Sequence, residues 1–258
     1  MEQPRKICIS SVLCWITSSL MAVALYMVFI YAPEENVMGM VQRIFYFHVS
    51  SAWIAFLAFF IVMVASIAFL MTRQSRWDRL AYASAEIGTL FCTFVMLTGP
   101  LWAKPVWNVW WTWDIRLTTT LVLWLMYAGY LMLRRYSEGE RGAVHAAVFG
   151  IIAFLDVPFV YFSVQWWRGL HPGHLVTAKN GGLAPEMLST LFVCLLTFLC
   201  LFLYLLQHRL AITKMEADID KIYRSLNEHH VHQGFLVENE NFIIEEYHVD
   251  YQRGRKKS

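Results

Sequence analysis

Long apolar stretches alternate with short polar segments along most of the chain, which is the pattern of a protein that crosses a membrane several times. Six stretches are long enough to span a hydrocarbon core of roughly 30 Å as α-helices. They lie at about 7–32, 44–71, 80–99, 117–133, 143–163 and 187–207. Because an open sheet cannot satisfy its backbone groups in lipid, the pattern predicts an all-α polytopic membrane protein with six transmembrane helices.

Composition agrees with this fold class and excludes several functions. Of 258 residues, 58% are hydrophobic and only 16% are charged, which is typical of a polytopic membrane protein. The net charge of +2 is too small to indicate binding to nucleic acid. The chain contains neither a G-x-x-x-x-G-K-[ST] phosphate-binding motif nor a G-x-S-x-G nucleophile motif, and we expect no catalytic activity.

The distribution of Lys and Arg predicts the orientation of the helices. Sixteen of these residues lie on the side that holds both termini and five lie on the other side. By the positive-inside rule, both termini are cytoplasmic. The sequence after 207 has mixed charge, so we expect a membrane domain at 1–207 and a cytoplasmic tail at 208–258. Within the tail, 212–230 is predicted to be helical and the remainder to be loosely ordered.

A tryptophan-rich segment, 102–113, joins the third and fourth predicted helices on the external side. It has five tryptophans within twelve residues, and Asp114 and Arg116 follow it closely. If this Trp-rich segment is helical after Pro105, one face of the helix carries Trp107, Trp110, Trp111 and Asp114. An interfacial aromatic belt is the alternative, but belts place only a few rings at a helix end. The density of rings therefore predicts an aromatic shelf that suits a large, flat ligand.

Two histidines are predicted on the same external side, His48 at the start of the second helix and His171 in the last external loop. Imidazole is a common axial ligand of haem iron, and two imidazoles from separate segments can hold one porphyrin. Each histidine alone is more typical of a polar residue at the membrane interface, but the pair on one side favours a haem-iron site. His174 competes for the position of the second ligand.

Four external cations lie near these features in the sequence: Arg43, Lys104, Arg116 and Arg168. Arg and Lys bind carboxylates, such as the two propionates of haem, through charge-assisted hydrogen bonds. The same side chains also contact lipid headgroups. The sequence leaves both interpretations open.

Two carboxylates lie inside predicted helices, where an ionised group is costly and often functional. Asp156 lies two residues before Pro158, and we expect it to accept hydrogen bonds from backbone that the proline frees, or to face a wet cavity. Glu86 lies six residues into the third helix, near enough to the inner surface for its carboxylate to reach it. Asp156 is the stronger site candidate of the two.

Three sequence segments together resemble the Trp-rich haem-handling family of cytochrome c biogenesis, and within it the haem exporter protein C group. The segments are RIFYFHV around His48, WWTWDIRLT around Asp114 and WWRGLH around His171, and the resemblance covers 7–207. It implies haem b bound transiently at the external face, with His48 and His171 as axial ligands of the iron. The implied platform is Trp102, Trp107, Trp110, Trp111, Trp113 and Asp114. Ala103 and Asn108 stand where the family pattern leads us to expect glycines.

The same resemblance implies a location in the bacterial inner membrane and a set of partners. These are a small membrane subunit, the subunits of an ATP-binding cassette transporter and a periplasmic haem chaperone that receives the haem. The function it implies is delivery of haem during the biogenesis of c-type cytochromes. The alternatives are a cytochrome b-like electron-transfer subunit, which would need histidine pairs inside helices, and a membrane anchor whose tryptophans only dock a partner domain.

Overall fold

The computed structural model describes residues 9–36, 38–137, 139–167 and 182–255, and over these residues the chain is helical without β-strands. Six helices are long and apolar enough to cross a membrane, so the prediction of an all-α polytopic membrane protein is confirmed. The spans are Ser10–Tyr31, Met40–Thr72, Ser75–Trp107, Ile115–Tyr136, Gly139–Trp166 and Pro185–Ile219.

Some spans combine two helical segments. The first is α1 (Ile9–Tyr26) followed by a π-helical turn (Met27–Tyr31), and the second is a 3-10 turn (Met40–Arg43) followed by α2 (Ile44–Thr72). The other helices are α3 (Ser75–Trp107), α4 (Ile115–Tyr136), α5 (Gly139–Phe154), α6 (Asp156–Trp166) and α7 (Pro185–Arg255). The third span is longer than predicted because α3 continues through Pro100 and Pro105, although neither proline can donate a backbone hydrogen bond.

The core lies around α2, which packs along α3 and also contacts α5. Gly88 allows α3 to approach α2 closely, since a Cβ at this position would lie 2.8 Å from Cε1 of Phe59. Tyr127 of α4 also packs against Phe59, and the two rings stack with centroids 3.6 Å apart. These contacts fix the relative positions of the three helices that carry most of the candidate site.

Two ion pairs with two-point hydrogen bonding lie at the end of the bundle away from the Trp-rich segment. Arg134 at the end of α4 donates two hydrogen bonds, of 3.0 and 2.6 Å, to the carboxylate of Asp78 in the first turn of α3. Arg209 of α7 makes an equivalent two-point contact with Glu86, one hydrogen bond of which measures 3.0 Å. The structure thus gives Glu86 a partner that the sequence did not predict.

The fifth span is interrupted between α5 and α6. Leu155 separates the two helices, and Asp156 and Pro158 lie in the first turn of α6. The Oδ2 atom of Asp156 is buried and accepts no hydrogen bond from the part of the chain that the structure describes. The expectation that this carboxylate accepts from freed backbone is therefore not met at Oδ2.

The chain divides into two compact units, Met1–Leu210 and Ala211–Ser258. The second unit contains the continuation of α7, which extends to Arg255. The predicted helix at 212–230 is therefore present. The remainder of the tail was expected to be loosely ordered, but it is helical as far as Arg255.

Candidate functional site

The Trp-rich segment is not a single helix. α3 ends at Trp107, and Asn108 adopts the left-handed conformation, with φ 58° and ψ 20°. The residues from 109 to 114 are irregular, and α4 begins at Ile115. The prediction that Trp107, Trp110, Trp111 and Asp114 share one helical face is therefore wrong. The shared helical face does not form because the left-handed turn at Asn108 ends α3 before the second group of tryptophans.

Asn108 explains how this chain departs from the expected glycine pattern. Apart from glycine, asparagine is the residue that most readily adopts the left-handed conformation at the end of a helix. Lys104 stabilises the turn, since its Nζ donates hydrogen bonds to the backbone oxygen (3.2 Å) and to Oδ1 (2.9 Å) of Asn108. The ammonium group of Lys104 therefore caps the C-terminal end of α3.

The irregular connection folds over a mostly apolar cavity, and the tryptophans come together there through tertiary packing, not through helical spacing. The space between its lining residues measures about 940 Å³, a volume that includes space open to solvent. Seven predicted site residues line it: His48, Trp102, Trp107, Trp110, Trp111, Asp114 and Arg116. Its deeper part is lined by apolar or weakly polar side chains that include Ala55, Cys92, Leu123 and Val160.

His48 forms part of the cavity wall and is only 8% exposed. Its Nδ1 lies 2.8 Å from Oγ1 of Thr98 on α3. The edge of its ring meets Trp102 with centroids 6.0 Å apart, and its Cε1 is 3.6 Å from where a Cβ on Gly99 would lie. Three residues of α3 therefore border the imidazole of a residue that belongs to α2.

The tryptophans differ in depth. Trp102 is 3% exposed and contacts both Phe45 and Trp107, whereas Trp110 and Trp113 are 57% and 75% exposed. The Nε1 atoms of Trp102 and Trp111 are buried and have no hydrogen-bond partner among the described residues. A buried indole N–H usually has an acceptor, so these two donors fit a site whose ligand supplies polar groups.

Asp114 anchors the connection to α4. Its Oδ1 accepts from the backbone N–H of Leu117 at 3.0 Å, and its Oδ2 accepts from the hydroxyl of Thr112 at 3.0 Å. This is the N-cap arrangement that begins a helix, and the carboxylate also interacts favourably with the positive end of the helix dipole. Both oxygens of Asp114 are therefore engaged by the chain itself.

The structure separates the predicted cations. Arg116 lines the cavity, whereas Lys104 caps α3 and the Arg43 guanidinium lies 5.8 Å from the ring centroid of Phe29. Neither Arg43 nor Lys104 lines the cavity, and neither does Trp113, whose ring packs edge-on against Trp111. Three predicted residues, Arg168, His171 and His174, lie outside the described residues.

Sequence reasoning missed Thr98 and the deeper lining of the cavity. No local signal marks Thr98, because it lies fifty positions from His48 and meets it only through the packing of α3 on α2. The lining residues of the apolar part come from four different helices, α2, α3, α4 and α6. Only the assembled fold brings them together.

A family model described as Heme exporter protein C matches residues 5–223. This chain belongs to that family. Its relatives include Heme exporter protein C of Bradyrhizobium diazoefficiens, 35% identical over 75% of this chain and 75% of the relative. The protein of the same name from Haemophilus influenzae is 31% identical over 84% of this chain and 90% of its own length. In the Escherichia coli protein of that name the identity is 34%, over 66% and 69% of the two chains.

Proposed function

We propose that this chain binds haem b transiently in the cavity under the Trp-rich segment and presents it to a periplasmic haem chaperone. Membership of the Heme exporter protein C family gives it a role in haem handling for cytochrome c biogenesis. One observation carries the finer proposal: His48, four tryptophans and Arg116 line the same apolar cavity. No covalent step is required of the chain, which acts as a transfer protein.

The cavity has the chemistry that haem needs. The porphyrin is large, flat and apolar, and aromatic side chains with an apolar interior bury such a surface favourably. Imidazole is a common axial ligand of its iron, which His48 supplies from the wall. The propionates are anionic, and Arg116 lines the cavity, unlike Arg43 and Lys104, the other two predicted cations that the structure describes.

The second axial ligand in this proposal is His171, and Arg168 near it assists with a propionate. Both come from the segment between α6 and α7, on the same side as the Trp-rich segment in the six-span topology. The strongly exposed rings of Trp110 and Trp113 suit a surface that meets the receiving chaperone.

The orientation in this proposal places the Trp-rich segment at the periplasmic face of a bacterial inner membrane. The excess of Lys and Arg on the opposite side supports cytoplasmic termini and a cytoplasmic tail at 208–258. The small membrane subunit and the subunits of an ATP-binding cassette transporter complete the proposed complex. Membrane lipid surrounds the apolar outer faces of the spans.

The visible spectrum of the purified protein tests the ligands. We expect a low-spin haem signal in the native protein and its loss or marked weakening in both H48A and H171A. His145 is exposed on α5, lies away from the cavity and serves as the control, so H145A should keep the native spectrum. Unchanged haem content in both H48A and H171A would refute the ligand assignment. A stable, reversible redox couple with haem that no chaperone can remove would instead support the electron-transfer alternative.

A further inference from the structure

A threonine hydroxyl on α3 meets the imidazole of His48 in an arrangement that favours one tautomer of the ring. Oγ1 of Thr98 lies 2.8 Å from Nδ1 of His48. The same oxygen lies 2.8 Å from the backbone oxygen of Phe94 and 3.3 Å from that of Val95. A hydroxyl has one hydrogen, whereas carbonyl oxygens only accept. When Thr98 donates that hydrogen to Phe94, its oxygen can accept the Nδ1–H of His48.

A second threonine of the same helix already works in this way. The hydroxyl of Thr93 donates to the backbone oxygen of Thr89 at 2.8 Å and accepts from Nε1 of Trp124 at 2.7 Å. The indole nitrogen is a donor only, so the direction of the second bond is fixed by chemistry. A threonine of α3 that bonds back to its own helix therefore accepts a ring N–H from a neighbouring helix.

We propose that Thr98 is a positioning residue for His48: its hydroxyl accepts Nδ1–H and leaves the lone pair on Nε2, the nitrogen that would bind iron. The inference rests on the proposed haem site. A hydrogen bond to the second ring nitrogen fixes the tautomer and orientation of a metal-binding histidine and raises its basicity. Gly99 and Trp102, which also border the ring, come from the same helix, so α3 contributes three of the residues around the imidazole.

The experiment begins with haem-free protein in nanodiscs, labelled with ¹⁵N-histidine. The spectrum distinguishes protonated from unprotonated ring nitrogens, and H48A assigns the signals of His48. We expect a protonated Nδ1 and an unprotonated Nε2 in the native protein and in T98S, which keeps the hydroxyl. T98V keeps the branched shape and removes the hydroxyl, so it should give a mixture of tautomers. Thr89 also bonds back to its own helix, at 2.7 Å, and T89V is the control with a native spectrum.

The second measurement uses haem titration and redox potentiometry of the same variants. T98V should bind haem roughly 10–100-fold more weakly, as is typical when such a supporting hydrogen bond is lost. Its reduction potential should rise, because a less basic imidazole stabilises ferric iron less, and T98S should restore both values.

A native spectrum in which His48 carries its proton on Nε2, or a T98V spectrum identical to the native one, would overturn the proposal. If the haem-free spectra are as expected but H48A keeps native haem affinity, the positioning of His48 stands and the iron-ligand assignment falls.

Discussion

Replacement of Arg116 by glutamine is the sharpest test of how the cavity holds an anionic ligand. Arg116 lines the cavity, whereas Arg43 and Lys104 lie outside it. A hydrogen bond between a charged donor and a carboxylate contributes about 1.5–3 kcal/mol. Because about 1.4 kcal/mol is a tenfold change in a dissociation constant, R116Q should bind haem roughly 10–150-fold more weakly.

The assay for R116Q is a titration in nanodiscs that follows the Soret absorbance, first with haem and then with its dimethyl ester. The ester has no propionate charge, so the difference between native protein and R116Q should largely disappear with it. R43Q is the matched control and should change haem affinity less than about threefold, the order of a weak surface contact. Native haem affinity in R116Q, or an equally large loss in R43Q, would refute the assignment of a propionate to Arg116.

Three further predictions concern stability. G88V should lower the free energy of unfolding by about 1–3 kcal/mol, because its side chain collides with Phe59, and thermal unfolding in detergent measures this. D78N should destabilise the protein by about 1.5–3 kcal/mol through the lost charged pair with Arg134 and leave haem affinity unchanged, since the pair lies away from the cavity. D114A should cost about 1 kcal/mol through the lost N-cap and also weaken haem binding, which a Soret titration measures.

Each of these variants has its own control. The nearest atoms to a Cβ on Gly129 are 3.8 Å away, so G129A should leave the melting temperature unchanged, and an equal fall in both glycine variants would contradict the packing argument. R134Q should be no worse than D78N, and their combination should not be additive. Asparagine also caps helices well, so D114N should keep most of the stability lost in D114A. Equal effects of D114N and D114A would show that capping is not the reason.

The six spans could be predicted from the sequence because each apolar run satisfies its backbone groups within its own helix. Their ends were less predictable. The apolar stretch predicted an end at Gly99, before Pro100 and Pro105, yet α3 continues to Trp107 and carries Trp102 into the buried wall. Prolines are tolerated in transmembrane helices where the surrounding protein compensates for the missing donor, and sequence spacing does not show that compensation.

The sequence named seven of the residues that line the cavity, but it did not give their geometry. The density of aromatic residues pointed to the tryptophans, and their predicted location on the same external side pointed to His48, without any knowledge of their contacts. Their arrangement depends on the left-handed turn at Asn108 and on the packing of α3 against α2, which brings Thr98 to His48. Contacts between residues far apart in the sequence leave no periodic signal in either segment.

The two ends of the connection at 109–114 are both tied by side chains, Lys104 to Asn108 at one end and Thr112 to Asp114 at the other. The chain entropy lost in ordering these residues is therefore lost when the protein folds, not when a ligand arrives. Affinity for a ligand then depends partly on Lys104 and Asn108, which do not line the cavity, because loss of their hydrogen bonds transfers that entropy cost to the binding step. A protein that binds a molecule only transiently can release it in this way. When one end of the connection loosens, affinity falls although the side chains that contact the bound molecule are unchanged.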